Sequence, residues 1–193
     1  MKKTTEQSII DTAKGLFWKH GIKRVTVEEI AKEAGVSKTT YYRMFSNKED
    51  VAERVLDAIL ENGLREYKSI MARDIPFSEK IKQVVEMKHT ASKGISNEFL
   101  KDIMSDHSGL RNRLVEERKN TELMFIKDLR SAQKKGWIRK DLKIEFIHYM
   151  LNLFNEKIMD DTFLALFEDS DDAIMEIINF FFYGILTTDH ESE

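Results

Sequence analysis

Residues 26–49 constrain the fold more than any other stretch, because three residues suited to begin a helix follow one another closely there. These residues are Thr26, Ser37 and Ser46, whose side-chain oxygens accept hydrogen bonds from the backbone of a first helical turn. A glutamate follows Thr26 and Ser46 at the three-residue spacing of a capping box. Gly35 supplies the backbone freedom that a tight turn needs. We predict two short helices joined by a tight turn, and then a longer helix.

The rest of the chain also has the pattern of helices. The 193 residues include one proline, Pro76, and eight glycines, and so few helix breakers favour helices over a many-turned β fold. Apolar residues recur at helical spacing in most segments. We predict an all-α fold of about nine helices, with an N-terminal three-helix domain at residues 1–46 and a helical domain at residues 47–193. The predicted helices outside the first turn region are 5–20, 47–71, 81–88, 98–106, 110–135, 141–167 and 173–186.

Several functional classes are excluded or disfavoured by composition. The chain has no cysteine, which excludes disulfides, thiolate metal sites and cysteine nucleophiles. It has no glycine-rich phosphate loop, no G-x-S-x-G and no H-E-x-x-H sequence, so we expect no enzyme, no cofactor and no metal site. The longest nearly apolar run, 177–186, is shorter than the roughly 20 residues that cross a bilayer. We expect a cytoplasmic protein.

Charge is divided unevenly along the chain. Residues 1–50 carry ten Lys and Arg against seven Asp and Glu, whereas residues 51–193 carry 21 against 27. The two balances, +3 and −6, sum to the net charge of −3. A basic N-terminal part on an acidic remainder suits a protein that presents one end to a polyanion.

The second short helix has the size and side chains of a DNA-reading helix. A helix of this length fits the major groove of B-DNA, with the residues near its N-terminus at the base edges. The helix starts at Thr26 and Ser46 offer backbone amides to phosphates. We predict double-stranded DNA as partner, with contacts from this helix and its surroundings at Thr26, Ser37, Lys38, Thr39, Thr40, Tyr41, Tyr42 and Arg43.

Residues 9–51 resemble the DNA-binding domain of the TetR family of bacterial transcriptional regulators. The resemblance consists of many residues in one register, and a shorter one at 136–142 resembles the turn that these regulators often place between their seventh and eighth helices. The residues in register are Ile9, Ile10, Ala13, Leu16, Phe17, Gly21, Thr26, Ile30, Ala31, Ala34, Gly35, Val36, Ser37, Tyr42, Phe45, Lys48 and Glu49.

The resemblance implies roles for individual residues. Thr26, Tyr42 and Lys48 match positions that contact phosphates in the family. Lys38 and Thr39 lie where base contacts are usually made.

Two positions depart from the family pattern. Thr39 replaces a residue that is commonly small, and Tyr41 replaces an aliphatic residue or phenylalanine. Tyr41 therefore faces either the DNA or the core of the small N-terminal domain.

The C-terminal part supports a homodimer. The final helix is apolar around much of its circumference, so it is buried on several sides. In the family the last two helices pair with a second subunit, and a two-fold DNA site needs two reading heads about 34 Å apart. An ordinary monomer core is the alternative. The predicted interface comprises Phe146, Ile174, Ile177, Ile178, Phe181, Phe182 and Ile185.

Methionines and phenylalanines of the C-terminal part form a candidate pocket, since thioether and aromatic groups suit an adaptable apolar site. The alternative is plain core packing. With the family resemblance, we expect a small apolar or amphipathic effector that releases a repressor from its operator. Three alternatives stay open: a regulator without a ligand, a helix-turn-helix used for protein contacts, and an enzyme. The predicted pocket residues are Met87, Phe99, Met104, Met124, Phe125, Met150 and Phe154.

Overall fold

The computed structural model describes residues 4–105, 109–157, 160–169, 172–173, 175–177 and 179–180. Within these ranges the secondary structure is helical and no strand is formed, which confirms the predicted all-α class. The nine helices in these ranges are α1 (Thr5–His20), α2 (Val27–Glu33), α3 (Lys38–Met44), α4 (Lys48–Met71), α5 (Phe77–Ser92), α6 (Asn97–Ser105), α7 (Leu110–Lys134), α8 (Ile144–Lys157) and α9 (Asp161–Leu164).

Helices α2 and α3 begin at the predicted caps Thr26 and Ser37, and α1 begins after a cap of the same kind, Thr4. Thr4 Oγ1 accepts a hydrogen bond from Gln7 N in the first turn of α1, and Ser37 Oγ accepts one from Thr40 N in the first turn of α3. At α2 both halves of the capping box form, since Thr26 accepts from Glu29 N and the Glu29 carboxylate accepts from Thr26 N. Each cap satisfies an amide that the first turn leaves without a helical partner.

The start of α4 differs from the prediction by one residue. Asn47, rather than Ser46, is the cap: its Oδ1 accepts from Asp50 N at 2.8 Å. The Asp50 carboxylate in turn accepts from Ser46 N at 3.0 Å. Asparagine caps a helix as well as serine does, and Asp50 lies three residues beyond Asn47, where its carboxylate reaches back. The predicted pair of Ser46 and Glu49 is therefore wrong.

The predicted helix 141–167 is two separate helices, α8 and α9. Helix α8 begins at Ile144, three residues beyond Asp141, whose carboxylate pairs with Arg139 Nη2 at 2.6 Å. The Asp160 side chain accepts from the backbone of α9, including Phe163 N at 3.1 Å. A local cap of this kind starts a new helix at this point.

One compact unit comprises the chain up to Gly63 together with Gly94–Arg118. It therefore contains α1, α2, α3, the first part of α4, α6 and the first part of α7. The boundaries of this unit differ from the predicted domain boundary after residue 46, which stays a prediction. The buried core residues of this unit are Ile9, Ala13, Phe17, Ile22, Val25, Ile30, Ala31, Tyr41, Phe45, Val51, Ala52, Val55, Leu56, Phe99, Ile103 and Leu110.

Contacts distant in sequence attach α6 to α1 within this unit. Ser96 N donates to Trp18 O at 2.9 Å, and the Trp18 ring stacks on Phe99 with centroids 5.5 Å apart. Lys23 N donates to Asp102 Oδ2 at 2.9 Å. Helix α6 therefore supplies part of the core of the first unit. We call this unit, Met1–Gly63 with Gly94–Arg118, the reading head, and it extends beyond the first three helices.

The other compact unit comprises Leu64–Lys93 and the chain from Lys119 onward. One core cluster joins α5, α7 and α8, and a smaller one surrounds Tyr67. The Tyr67 hydroxyl donates to Asp128 Oδ2 at 2.6 Å, and burial together with this bond raises the pKa of Tyr67. Glu122 Oε1 lies 2.8 Å from His148 Nε2. Two polar pairs therefore bridge helices of this unit, and the His148 side chain of the second pair is partly exposed.

A search of the described part of the chain for a helix long and apolar enough to cross a membrane finds none.

Gly21 ends α1 and lies against Glu98 and Asp102 of α6. Its φ of +80° and ψ of 161° lie in a region that is essentially restricted to glycine. A Cβ there would lie 2.8 Å from Asp102 Oδ2 and 3.0 Å from Glu98 Cβ. We expect Gly21→Ala to lower the free energy of unfolding by about 2 kcal/mol, measured by urea unfolding followed by circular dichroism.

Gly15→Ala is the matched control. Gly15 is inside α1, and a Cβ there meets no atom within 4 Å. This change is expected to raise the free energy of unfolding by up to about 1 kcal/mol, the helix preference of alanine over glycine. Equal effects of the two substitutions would contradict the special role of Gly21.

Candidate nucleic-acid interface

Helix α3 divides into a buried and an exposed side. Tyr41 is fully buried, and Phe45 directly after the helix is buried too. Lys38, Thr39, Tyr42 and Arg43 are exposed, whereas Thr40 is half-buried. The helical repeat places these two groups on opposite sides. The buried side packs into the core of the first unit. The exposed side forms a surface of cationic and hydroxyl groups.

Tyr41 is part of the core, which corrects its prediction as a DNA contact. Its hydroxyl donates to Asn47 O at 3.2 Å, and its ring lies 5.7 Å from that of Phe45. Burial raises the pKa of Tyr41, and the nearby phenol of Tyr42 contributes. A side chain without exposed surface cannot reach a groove, so Tyr41 faces the core of the small N-terminal domain and not the DNA.

Tyr42 is the exposed neighbour of this buried ring. It is 53% exposed, and its ring packs edge-on against Tyr41 with centroids 5.5 Å apart. Aromatic pairs favour this edge-to-face arrangement. The contact supports one side of the Tyr42 ring, while more than half of the residue stays accessible to a partner.

Lys48 connects the start of α4 to the loop before α2. Its Nζ donates to Lys23 O at 3.1 Å and to Val25 O at 2.9 Å. An ammonium group has three N–H donors, so these two bonds leave one donor for an anion. The same bonds hold the Lys48 charge close to Thr26, whose hydroxyl takes part in the capping box of α2.

Lys38 forms an ion pair with Glu28 at the start of α2. The hydrogen bond from Lys38 lowers the pKa of the Glu28 carboxyl, and the same bond raises the pKa of Lys38. In the same turn, the hydroxyl groups of Ser37 and Thr40 form a hydrogen bond with their oxygens 3.0 Å apart. Sequence reasoning missed Glu28, since the tight turn between α2 and α3 alone brings it beside Lys38.

The predicted pocket residues do not form one group. Phe99 is buried in the core of the first unit against Trp18, and Met104 belongs to the same unit. Their assignment to a pocket in the C-terminal domain is corrected, because α6 packs against α1. Met87, Met124 and Phe125 pack around the cluster of Tyr67 in the second unit, while Met150 and Phe154 join its other cluster.

A cleft of about 350 Å³ in the first unit is lined by ionisable residues, unlike the predicted pocket of methionines and phenylalanines. Asp102 in this lining accepts from Lys23 N, so one acid is already occupied. No group of three or more potential metal ligands occurs among the described residues. The residues that line the cleft are Lys19, His20, Lys23, Arg24, Glu98, Lys101 and Asp102.

The predicted dimer residues fall into three sets. Phe146 on α8 is 55% exposed, and Tyr149, one turn further, is 64% exposed and was missed by sequence reasoning. Ile177 is buried within the single chain, which corrects its prediction as an open interface residue. The remaining predicted residues lie outside the described residues: Ile174, Ile178, Phe181, Phe182 and Ile185.

Comparison with known proteins identifies the N-terminal part. Residues 9–55 match the family model described as bacterial regulatory proteins, tetR family. The regulator TtgR of Pseudomonas putida is 37% identical over 57 residues, which are 30% of this chain and 27% of that protein. The repressor KstR2 of Rhodococcus jostii is 24% identical over 146 residues, covering 71% of this chain and 69% of the relative. The match to TtgR thus spans about a quarter of its length.

Solved structures extend the similarity to the whole fold. The regulatory protein TetR from Rhodobacter sphaeroides superposes with a TM-score of 0.75 at 16% identity, over 95% of this chain and all of that one. A transcriptional regulator from Saccharomonospora viridis, solved in complex with choline, gives 0.74 at 15% identity over 95% and 98%. These named proteins are transcription regulators and not enzymes, in agreement with the prediction.

Proposed function

We propose that the chain is a member of the tetR family of bacterial regulatory proteins, whose model residues 9–55 match, and that it is a sequence-specific, DNA-binding transcriptional repressor. The observation that carries this proposal is the exposed side of α3. Lys38, Thr39 and Arg43 are exposed there, while the buried Tyr41 keeps the helix attached to the head. A helix that projects such side chains fits the major groove, where lysine and arginine donate to guanine and hydroxyl groups bind several bases.

Phosphate contacts set the position of this helix on the duplex. Tyr42 lies in the last turn of α3, Lys48 is the first residue of α4, and Thr26 is the cap of α2. Lys48 has one N–H beyond its two backbone bonds, and the exposed Tyr42 hydroxyl is a further donor. Such contacts carry no sequence information but fix the register of the reading helix.

A small apolar or amphipathic effector is proposed to release the repressor. KstR2 of Rhodococcus jostii is named a repressor, and the Saccharomonospora viridis regulator was solved with choline. Met87, Met124 and Phe125 pack around buried Tyr67, which is bonded to half-buried Asp128, and they offer adaptable apolar groups beside a polar anchor. The effector and DNA then weaken each other's binding by the same factor. A regulator without an effector is the alternative.

The acting form is proposed to be a homodimer in the cytoplasm, where bacterial DNA lies. Phe146 and Tyr149 leave two large side chains exposed one turn apart on α8. Exposed aromatic groups of this kind are enriched at protein interfaces. A two-fold dimer presents two reading heads to the two halves of an operator.

Lys48→Ala tests the proposed DNA contacts. Operator duplexes are first selected from a random library with the wild-type protein. The variant is expected to bind the selected and random duplexes more weakly by a similar factor, because a phosphate contact carries no sequence information. The slope of log affinity against log salt concentration should become shallower by about one unit, measured by fluorescence anisotropy.

Lys32→Ala is the control, since Lys32 is exposed on α2 and loses the same charge. It should leave the slope close to that of the wild type. A wild-type protein that binds no duplex at about 50 mM salt would overturn the proposed function, and an unchanged slope in Lys48→Ala would remove Lys48 from the interface.

Phe146→Glu tests the proposed dimer. A carboxylate placed in an apolar interface is costly unless it is paired, so the dimer should dissociate into monomers in sedimentation velocity. Val115→Glu is the control: Val115 is 50% exposed on α7 but has no proposed interface role. A Phe146→Glu protein that remains a dimer at micromolar concentration would place the interface elsewhere.

Choline and a long-chain fatty acid serve as first probes of the effector site, one a small cation and the other an amphipathic anion. A true effector raises the melting temperature of the free protein, because it binds the folded state. It also weakens binding to the selected duplex, in fluorescence anisotropy, by the factor with which the duplex weakens its own binding. A probe that stabilises the protein but leaves duplex affinity unchanged is a ligand without a regulatory role.

A further inference from the structure

Glu28 is an acidic residue on a surface that the proposed function turns toward a polyanion. It lies in the first turn of α2, and its carboxylate is paired with Lys38 at the first position of α3. The neighbouring Glu29 completes the capping box, so Glu28 is not needed for that cap. A carboxylate close to DNA phosphates lowers affinity by like-charge repulsion. The ion pair of Glu28 with Lys38 contributes little to the stability of the fold, because it is exposed.

Glu28 and Lys38 are both accessible to a binding partner. Their side chains are 57% and 56% exposed, so the pair is surrounded by solvent and open to exchange. Lys38 has further N–H donors, but a phosphate that binds them comes close to the Glu28 carboxylate. A phosphate and the Glu28 carboxylate are both anionic acceptors, so they compete for the same ammonium group.

We propose that Glu28 is a specificity-determining residue, which withholds Lys38 from the phosphates of non-operator DNA. This inference rests on the proposed function. On random DNA, Lys38 gains only a phosphate in exchange for a carboxylate, and Glu28 stays unpaired beside the backbone. On the operator, Lys38 binds guanine acceptors, and Glu28 accepts from a cytosine amino group. The residue thus weakens the binding of wrong sequences more than that of the right one, which is selection by repulsion.

The test compares Glu28→Gln with the wild type on two labelled duplexes of equal length, one selected by the wild-type protein and one scrambled. The variant is expected to bind the scrambled duplex roughly fivefold more tightly near 0.1 M salt. The salt slope on that duplex should become steeper by about one unit, since Lys38 now displaces a counterion. Affinity for the selected duplex should rise less or fall, so the ratio of the two affinities decreases.

Glu33→Gln is the matched control, because Glu33 is exposed on the same helix and loses the same charge. It should change both affinities by one common factor. The double variant Glu28→Gln, Lys38→Ala should lose the steeper slope, and circular dichroism checks that each variant is folded.

The outcomes separate the two proposals. A wild-type protein that binds duplexes, with a Glu28→Gln variant whose affinity ratio and slope equal those of Glu33→Gln, overturns the role of Glu28 and leaves the proposed function intact. Tighter binding of Glu28→Gln that persists in the double variant also overturns it, because Lys38 is then not the group withheld. A wild-type protein that ignores both duplexes overturns the proposed function, and this inference with it.

Discussion

The packing of Tyr41 and Phe45 into the core of the first unit is the interaction on which the candidate site depends. α3 has seven residues and is too short to be stable alone, so its helical form depends on tertiary contacts. Burial of these two rings supplies those contacts, and the Tyr41 hydroxyl links them to Asn47 where α4 is about to begin. Once one side of α3 is held inside, the helical repeat leaves Lys38, Tyr42 and Arg43 on the surface.

Hydrogen bonds between side chains and backbone groups fix the segments around α3. Lys48 holds the loop before α2 through two carbonyl groups, and Asn47 with Asp50 sets the direction of α4. On another side of the same unit, Asp102 of α6 accepts from the Lys23 amide, and Ser96 donates to Trp18. The reading head is therefore built from segments up to about eighty residues apart, and a change in α6 reaches the same loop as a change in α4.

Charge has two roles on this surface. The excess of basic residues in the first fifty attracts a polyanion from any direction. The pair of Glu28 and Lys38 acts at short range, where a carboxylate competes with phosphate for one ammonium group. General attraction without local discrimination favours binding to all DNA alike, whereas a local acid lowers affinity and raises selectivity. A regulator of the proposed kind needs both.

Local signals in the sequence determined the helix starts at Thr4, Thr26 and Ser37, because a cap depends on residues three positions apart. They also predicted the all-α class and the resemblance of the N-terminal part to the tetR family. Tertiary structure decided what no local pattern contains. Tyr41 is buried because α3 packs on the core, Phe99 belongs to the head because α6 folds back onto α1, and Glu28 meets Lys38 because the turn brings two helix starts together. Periodicity shows which residues share a side of a helix, whereas only packing decides what that side faces.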